Sequence, residues 1–316
     1  MKVFEGFQRG VNLGGWLSQC DYSDERLNGF IREDDFETIA AWGLDHVRLP
    51  MDYNVLEDGD GGYSLKGFGH VQRAVEWARK YGLNIVLDLH KTAGFSFDKG
   101  YAESGFFESP ALQERFYKLW EQIATIFGDD PEHVAFELLN EVTDKSYMQA
   151  WMAIAKTAFW RIRRFAPQTK ILVGGYWNNS VEAVRDLDAP WVENVVYNFH
   201  CYDPITFTHQ HAPWVSHADV SRDVKYDESG ATEEYFEARF AAAVKAAEER
   251  NVALYCGEYG VIDFVSPEDT LSWFRAINAP LKRCGIGRAA WSYRRMNFGL
   301  TDARLDAVRS ELIKYM

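Results

Sequence analysis

Residues 135–144, "AFELLNEVTD", place an amide and a carboxylate side by side directly after a run of mostly apolar residues. Such a run is typical of a strand buried on both faces in a parallel sheet. Side chains alternate along a strand, so Asn140 and Glu141 cannot both point inward within regular β-structure. We therefore predict a bulge or a strand end here, from which both side chains reach a common site.

Eight runs of this strand-like character recur along the chain, with amphipathic helical segments between them. They cover residues 9–15, 45–50, 84–90, 134–140, 170–175, 194–202, 251–260 and 287–294. Eight strand–helix units close a (β/α)8 barrel, whereas a doubly wound open sheet is the competing α/β architecture. The glycine-rich stretch "GVNLGGW" (10–16) does not match G-x-G-x-x-G, which removes the main reason to prefer a dinucleotide fold.

The segments between the strands predict helices and their ends. Helices are expected at 67–81, 109–127, 146–166, 232–250 and 267–283, with Pro110 at a first helical position. Gly43, Gly82 and Gly285 stand where helices should end. No Pro-, Ser- or Gly-rich linker interrupts the chain, so we predict a single TIM-barrel domain over residues 1–316.

Composition excludes several classes of partner. With 34 basic and 47 acidic residues the net charge is −13, which argues against nucleic acid and anionic membranes. No apolar run approaches the roughly 18 residues that a membrane span needs. The first residues lack the apolar core of a secretory signal, so a cytoplasmic location is expected for the chain as written, and secretion if a leader was trimmed. The four cysteines lack C-x-x-C spacing and are interpreted as free thiols.

Polar or large aromatic residues stand at the carboxyl end of most predicted strands, where barrels of this class carry their chemistry. Each alone would be explained by a structural role, but their joint occurrence indicates one shared site. Glu141 ends the fourth strand and Glu258 the seventh, and a pair of carboxylates is what glycosidic bond cleavage requires. The full set is Arg48, His90, Asn140, Glu141, His200, Tyr202, Glu258 and Trp291.

The motifs "VRLP" (47–50), "DLH" (88–90), "ELLNE" (137–141), "HCY" (200–202), "GEYG" (257–260) and "WSY" (291–293) occur in that order. Together they resemble glycoside hydrolase family five, the cellulase family, from about Arg9 to about Trp291. The resemblance implies a retaining double displacement with Glu141 as acid/base and Glu258 as nucleophile. It also implies that Arg48 and Tyr202 contact Glu258, that Asn140 contacts the sugar 2-hydroxyl, that His90 and His200 line the same subsite, and that Trp291 forms its floor.

Electrostatics supports this division of roles. A guanidinium beside one carboxylate lowers its pKa, and the resulting charge raises the pKa of the other carboxyl group. We expect the carboxyl groups to be about 5 to 5.5 Å apart, the spacing of retaining enzymes. Lys91 follows His90 where many members of the family carry a second histidine, so the contacts of that loop are expected to differ.

Aromatic residues beside the strand ends are candidate platforms for sugar rings: Trp16, Tyr176, Trp177, Trp214 and Phe298. For Trp177, in "GGYWNNS" (174–180), core packing and sugar binding are equally good interpretations. Other tryptophans, at helical spacing, are predicted to be core: Trp42, Trp77, Trp120 and Trp273.

The segment 204–220 contains His209, His211 and His217. H-x-H could suggest zinc, but no cysteine or carboxylate completes a ligand set at the usual spacing. We predict a loop that covers substrate, no metal site and no cofactor.

The sequence thus predicts a retaining hydrolase of β-glucosidic bonds in β-glucans or their oligosaccharides. The same machinery could act on β-mannan or in transglycosylation, and the barrel could instead bind sugars without catalysis. A metal-dependent, amidohydrolase-like barrel is a further alternative, which a chelator would inactivate.

Overall fold

The computed structural model describes residues 1–59, 62–98, 103–216 and 218–316. Eight parallel strands hydrogen-bond in chain order and close into a barrel, which confirms the predicted (β/α)8 fold. The strands are β1 (Gly10–Asn12), β2 (His46–Asp52), β3 (Asn84–Lys91), β4 (Val134–Glu137), β5 (Lys170–Val173), β6 (Val195–His200), β7 (Ala253–Tyr259) and β8 (Gly287–Ala290).

The α-helical segments are α1 (Asp24–Gly29), α2 (Glu33–Ala41), α3 (Tyr53–Leu56), α4 (Leu65–Lys80), α5 (Pro110–Phe127), α6 (Met148–Ile162), α7 (Tyr176–Asn179), α8 (Ile205–Thr208), α9 (Tyr226–Ser229), α10 (Glu233–Arg250), α11 (Pro267–Arg283) and α12 (Arg309–Tyr315). Four of the five predicted helices agree within two residues. The fifth, α6, ends four residues early, close before Pro167, whose ring disfavours helical geometry in the residue before it. Gly43, Gly82 and Gly285 have φ values of +74°, +69° and +65°, so the predicted helix ends are confirmed.

The fourth strand, β4, ends before the Asn140–Glu141 pair. β4 stops at Glu137, and Glu141 has a left-handed φ of 42°. Asn140 donates its backbone N–H to the carbonyl of Leu89 in β3, so the chain still follows the sheet just before it turns. The prediction that regular structure ends before the Asn140–Glu141 pair is therefore confirmed.

Tryptophans of the outer helices bind the barrel at the carboxyl ends of its strands. Trp120 donates its indole N–H to the carbonyl of Leu138 at 3.0 Å, Trp151 to Gly174 at 2.8 Å, and Trp273 to Asp203 at 3.0 Å. All three side chains are fully buried, which confirms the core assignment of Trp120 and Trp273. They satisfy carbonyl groups that have left the sheet ladder, and so hold the loops beside the site.

Trp42 and Trp77 are partly buried and pack against the core. The four cysteines are free thiols, as predicted. Within the described residues, no helix combines the length and apolar character needed to cross a bilayer.

Candidate active site

The barrel brings the eight predicted strand-end residues to one mouth. His90, His200 and Glu258 lie at or one residue before the ends of β3, β6 and β7, whereas Arg48 lies inside β2, four residues before its end. The other four follow a strand directly: Asn140, Glu141, Tyr202 and Trp291. All strands of the barrel are parallel, so all these positions reach the same rim.

The carboxyl groups of Glu141 and Glu258 both lie near the same ring nitrogen of His200. Nδ1 of His200 lies 2.9 Å from Oε1 of Glu141 and 3.7 Å from Oε2 of Glu258. An oxygen of one carboxyl group lies within 4.8 Å of an oxygen of the other. This proximity supports the short separation expected for a retaining mechanism, in contrast to the gap of roughly 6.5 to 9.5 Å that accommodates an inverting water. Glu141 is 8% exposed and Glu258 5%, so both are largely buried but neither is fully sealed from solvent.

Two donors contact the carboxyl oxygens of Glu258. Arg48 donates from Nη1 to Oε1 at 2.8 Å, and the Tyr202 hydroxyl donates to Oε2 at 2.9 Å. Burial raises the pKa of the Tyr202 hydroxyl well above its ordinary value, so this group keeps its proton and remains a donor. Donors of this kind favour the charged form of the carboxyl group, which a nucleophile needs.

Glu141 is in a different environment. Burial raises its pKa from 4.5 to about 7, and a hydrogen bond from Asn178 is the largest opposing effect. The elevation was predicted to come from the charge of the other carboxylate, whereas desolvation of Glu141 itself is the main cause. A carboxyl group with this pKa can both hold and release a proton near neutral pH, which is what an acid/base must do.

Arg48 is the centre of a fully buried polar network below the carboxylate pair. It donates from Nε and Nη2 to the two oxygens of Glu137 at 2.7 and 2.8 Å, and Nη2 lies 3.0 Å from Asp88. It also donates to the side-chain oxygens of Asn12 and Asn140. One guanidinium thus orients Glu258 and the amide of Asn140 together.

Glu137, Asp88, Asn12 and Asn198 were not predicted as site residues. Asn198 donates to Glu137 at 2.7 Å, so it also belongs to the network. The available signal was an ionised residue inside an otherwise apolar strand, Glu137 in "VAFELLN" and Asp88 in "NIVLDLH". A buried charge of this kind requires a partner, which is Arg48 here.

The rings of His90 and Trp291 stack on each other beside the network of Arg48. Nδ1 of His90 lies 2.6 Å from Asp88, and burial lowers the pKa of the imidazole, which therefore stays neutral at neutral pH. The rings of His90 and Trp291 are parallel within 2°, with centroids 5.8 Å apart. A Cβ at Gly14 would lie 2.7 Å from the Trp291 ring, so the position of this ring requires glycine there.

The predicted sugar platforms are divided by their exposure. Trp177 is 54% exposed and Trp214 47%, so their rings are available to a ligand. Trp16, Tyr176 and Phe298 are buried, so their assignment as platforms was wrong. Trp16 stacks on Trp77, Tyr176 bonds to Asp186 and Lys145, and Phe298 packs on Tyr202 and His209.

The histidines of segment 204–220 do not assemble a metal site among the described residues. His211 lies 2.7 Å from Asp223, and His209 packs edge-on against Tyr202 with centroids 5.0 Å apart. His217 lies outside the described residues. Lys91, the departure from the family pattern, is buried with its ammonium 3.3 Å from Glu103.

Carboxylate and imidazole atoms do converge at the candidate catalytic pair, where Glu141, His200 and Glu258 lie together. The four carboxylate oxygens there already contact Asn178, His200, Arg48 and Tyr202. We therefore assign them to this hydrogen-bond network and not to a metal ion.

Comparisons with known proteins agree with this geometry. The family described as Cellulase (glycosyl hydrolase family 5) matches residues 8–297. Cellodextrinase A of Ruminococcus flavefaciens is 51% identical over 283 residues, covering 90% of this chain and 84% of the relative. Endoglucanase C of Acetivibrio thermocellus is 34% identical over 337 residues, covering 98% of both.

Solved structures show the same fold. The cellulose synthase subunit Z of Clostridioides difficile superposes with a TM-score of 0.83 at 25% identity, over 97% of this chain and 99% of that one. A hyperthermophilic endo-β-1,4-glucanase, solved with its substrate, has a TM-score of 0.83 at 22% identity, over 98% and 97% of the two chains. The extent of the family match, with relatives this similar over nearly their whole length, shows that the chain belongs to the cellulase family, glycosyl hydrolase family 5.

Proposed function

We propose that this protein hydrolyses β-glucosidic bonds in β-glucans or their oligosaccharides, with retention of configuration. The observation that carries the proposal is the pair Glu141 and Glu258, which face each other at the mouth of the barrel with unequal surroundings. Glu258 accepts hydrogen bonds from Arg48 and Tyr202, while burial raises the pKa of Glu141 to about 7. One group thus accepts two hydrogen bonds from strong donors, and the other can hold a proton near neutral pH.

In the first step, a carboxylate oxygen of Glu258 forms a bond to the anomeric carbon. The bond from that carbon to the leaving oxygen breaks, and Glu141 transfers its proton to this oxygen. The product is a glycosyl ester on Glu258 and a free alcohol. Asn140, held by Arg48 at 2.8 Å, is placed to contact the sugar beside the reacting carbon.

In the second step, Glu141 removes a proton from water as the water oxygen attacks the anomeric carbon. The ester bond to Glu258 breaks, the sugar leaves with its original configuration, and Glu141 is protonated again. Because the same group acts as acid and then as base, its pKa must lie near the working pH.

The names of the relatives, cellodextrinase A and endoglucanase C, support a β-linked glucan as substrate. The exposed ring of Trp177 supports sugar binding beside Glu141, because its neighbour Asn178 contacts that carboxyl group. Trp214 exposes a second ring on segment 204–220. Product analysis on a panel of glucans and mannans tests the substrate class.

The mechanism is tested by release of an aryl alcohol from an aryl β-cellobioside. We expect Glu258→Ala to abolish release and azide to restore part of it, with α-cellobiosyl azide as product, because azide then attacks the substrate directly. Glu141→Ala with azide should give the β-azide, because azide then attacks the glycosyl ester. The exposed Glu249 provides the matched control, and Glu249→Ala should act like the wild type.

Several outcomes would contradict the proposal. They are an inactive wild-type protein, azide products with the two configurations exchanged, and loss of activity with a chelator. The last outcome would favour a metal-dependent barrel, because no step above uses a metal ion.

A further inference from the structure

The short segment α7 after β5 is a left-handed turn and not a right-handed helix, and this backbone conformation is costly for its residues. Trp177, Asn178 and Asn179 have consecutive φ values of 51°, 58° and 54°, all in the left-handed region. For residues with a Cβ this conformation costs about 1 to 2 kcal/mol each, although asparagine tolerates it better than most. Such a segment persists only where its surroundings impose it, and this kind of strain concentrates at functional sites.

Contacts on both sides hold the turn in place. Trp151 donates to the carbonyl of Gly174, where the turn begins, and Lys145 donates to the hydroxyl of Tyr176 at 3.0 Å. The backbone N–H of Asn178 donates to the carbonyl of Val142 at 3.0 Å, and the side chain of Asn179 is fully buried. The turn is therefore joined directly to the segment that carries Glu141.

The strained turn directs one amide at one carboxyl group. Asn178 donates from Nδ2 to Oε2 of Glu141 at 2.9 Å. The other oxygen, Oε1, lies 2.9 Å from Nδ1 of His200. Glu141 lies beyond the end of β4, so no strand ladder orients its side chain, and these two contacts determine how the carboxyl group is rotated.

The chemistry of the two partners distinguishes the two oxygens. An amide N–H can only donate, so Oε2 must accept from Asn178 and cannot direct a proton at it. Burial lowers the pKa of His200 to about 4, so its ring is neutral near pH 7 and Nδ1 can accept a proton. In the tautomer of His200 with the ring proton on Nε2, the proton of neutral Glu141 therefore lies on Oε1, and the same Nδ1 lies 3.7 Å from Glu258.

We propose that Asn178 is a positioning residue for the acid/base, which confines the proton of Glu141 to the oxygen on the side of Glu258. This inference rests on the proposed function, because it assumes that Glu141 protonates the leaving oxygen. It assigns a purpose to the left-handed turn: the turn costs conformational energy and in return presents an amide to a carboxyl group that the sheet does not hold.

The charged and titratable groups around Glu141 come from several elements. They are Arg48 of β2, Asp88 and His90 of β3, Asp98 after β3, His200 of β6 and Tyr202 after it, and Glu258 of β7. A change at Asn178 leaves all of them in place. It removes one hydrogen bond to the ionised form of Glu141, so the pKa of this carboxyl group should rise and the alkaline limb of activity should move to higher pH.

The test uses Asn178→Gly, because glycine adopts a φ of 58° without the Cβ penalty and the variant should fold at least as well. The matched control is Asn251→Gly. Asn251 is also left-handed, with φ 51°, but it caps α10 at the opposite end of the barrel. Both variants are assayed on dinitrophenyl and phenyl β-cellobioside. The dinitrophenolate leaves without help from an acid, whereas phenolate needs a proton.

We expect Asn178→Gly to lower kcat/KM about tenfold on the phenyl substrate, within the range that general acid catalysis contributes, and less than twofold on the dinitrophenyl substrate. The alkaline limb of its pH–activity profile should move to higher pH, and its Tm should not fall. Asn178→Asp keeps the size of the side chain but replaces the donor with an acceptor, so it should not restore the phenyl activity. Asn251→Gly should match the wild type on both substrates.

Equal losses on the two substrates, or an unchanged alkaline limb, would overturn the inference, because a merely structural role predicts both. A separate readout covers the case in which the wild type cleaves neither substrate and the proposed function itself fails. ¹³C NMR titration of the Glu141 carboxyl carbon should show a higher midpoint in Asn178→Gly than in the wild type, and equal midpoints would refute the contact without any turnover.

Discussion

Replacing Arg48 by methionine should destabilise the protein in a way that grows with pH. In the native protein this one guanidinium contacts three buried carboxylates: Asp88 at 3.0 Å, Glu137 at 2.7 Å and Glu258 at 2.8 Å. Methionine has a similar length and no charge. Its thioether would leave the carboxylates without a counter-charge, and removing one partner of a buried ion pair typically costs about 3 to 5 kcal/mol.

The pH dependence arises because a buried carboxylate that takes up a proton is no longer an unpaired charge. Burial already raises the pKa of Asp88 to about 7, so Asp88 is partly protonated near neutral pH in the wild type. In Arg48→Met, Glu137 must also be protonated, because burial raises its pKa and no cation opposes this effect. A raised folded-state pKa of a carboxyl group means that stability falls as pH rises above the ordinary value of 4.5.

The size of the effect can be worked out for Glu137 alone. Keeping this group protonated costs at most about 3 kcal/mol at pH 7 and about 1 kcal/mol at pH 5, and the wild type already bears part of this cost, because burial raises the pKa of Glu137 there despite Arg48. A chain of this length unfolds with an entropy of about 0.7 kcal/mol/K, so the difference corresponds to at most about 4 °C in Tm. The lost hydrogen bonds to Asn12 and Asn140 add a further decrease that does not depend on pH.

Scanning calorimetry at pH 5 and pH 7 measures this difference directly. Arg161→Met is the matched control, because Arg161 also contacts two carboxylates, Glu114 and Glu121, but in a partly exposed position between helices. We expect it to cost less than about 1 kcal/mol at both pH values. If Arg48→Met lost the same Tm at pH 5 and pH 7, the protonation argument for Glu137 would be refuted.

Two further predictions depend on the burial of one side chain, Glu141, and on the exposure of another, Trp177. Because burial raises the pKa of Glu141 from 4.5 to about 7, its ionisation destabilises the fold as pH rises through this interval. Glu141→Gln should therefore be more stable than the wild type at pH 8, by up to about 3 kcal/mol, and equally stable at pH 4. A calorimetric difference that persisted at pH 4 would contradict the reasoning. Trp177→Ala should lower kcat/KM on cello-oligosaccharides with little change in Tm. Trp160, on the outer face of α6, has the same 54% exposure, and Trp160→Ala should leave kcat/KM unchanged. Equal kinetic effects of the two substitutions would show that Trp177 does not bind substrate.

The positions of the site residues could be predicted because a parallel barrel converts position along a strand into position in space. Every strand of the barrel ends at the same mouth, so Arg48, Glu141 and Glu258 could be assigned to one site from their places in three separate apolar runs. No long-range information was needed for that step. The same reasoning identified the end of regular structure before Asn140.

The errors concern properties that depend on neighbours from distant parts of the chain. Trp16, Tyr176 and Phe298 stand beside strand ends like Trp177, yet they are buried because loops pack over them. The elevated pKa of Glu141 was attributed to a neighbouring charge, whereas the enclosure of its carboxyl group is the main cause. Enclosure is the sum of many small contacts, and no local pattern of residues encodes it.

The sequence by itself determined the α/β class, the eight strands, and the candidate pair of glutamates with the strand-end residues around it. These features follow from the periodicity of apolar residues and from polar residues at run ends, which are local. Only the tertiary structure decided that Glu137 and Asp88 share Arg48, and that Asn178 contacts Glu141 from a left-handed turn. The physical reason is that charge pairing, burial and backbone strain act between elements that come together only when the barrel closes.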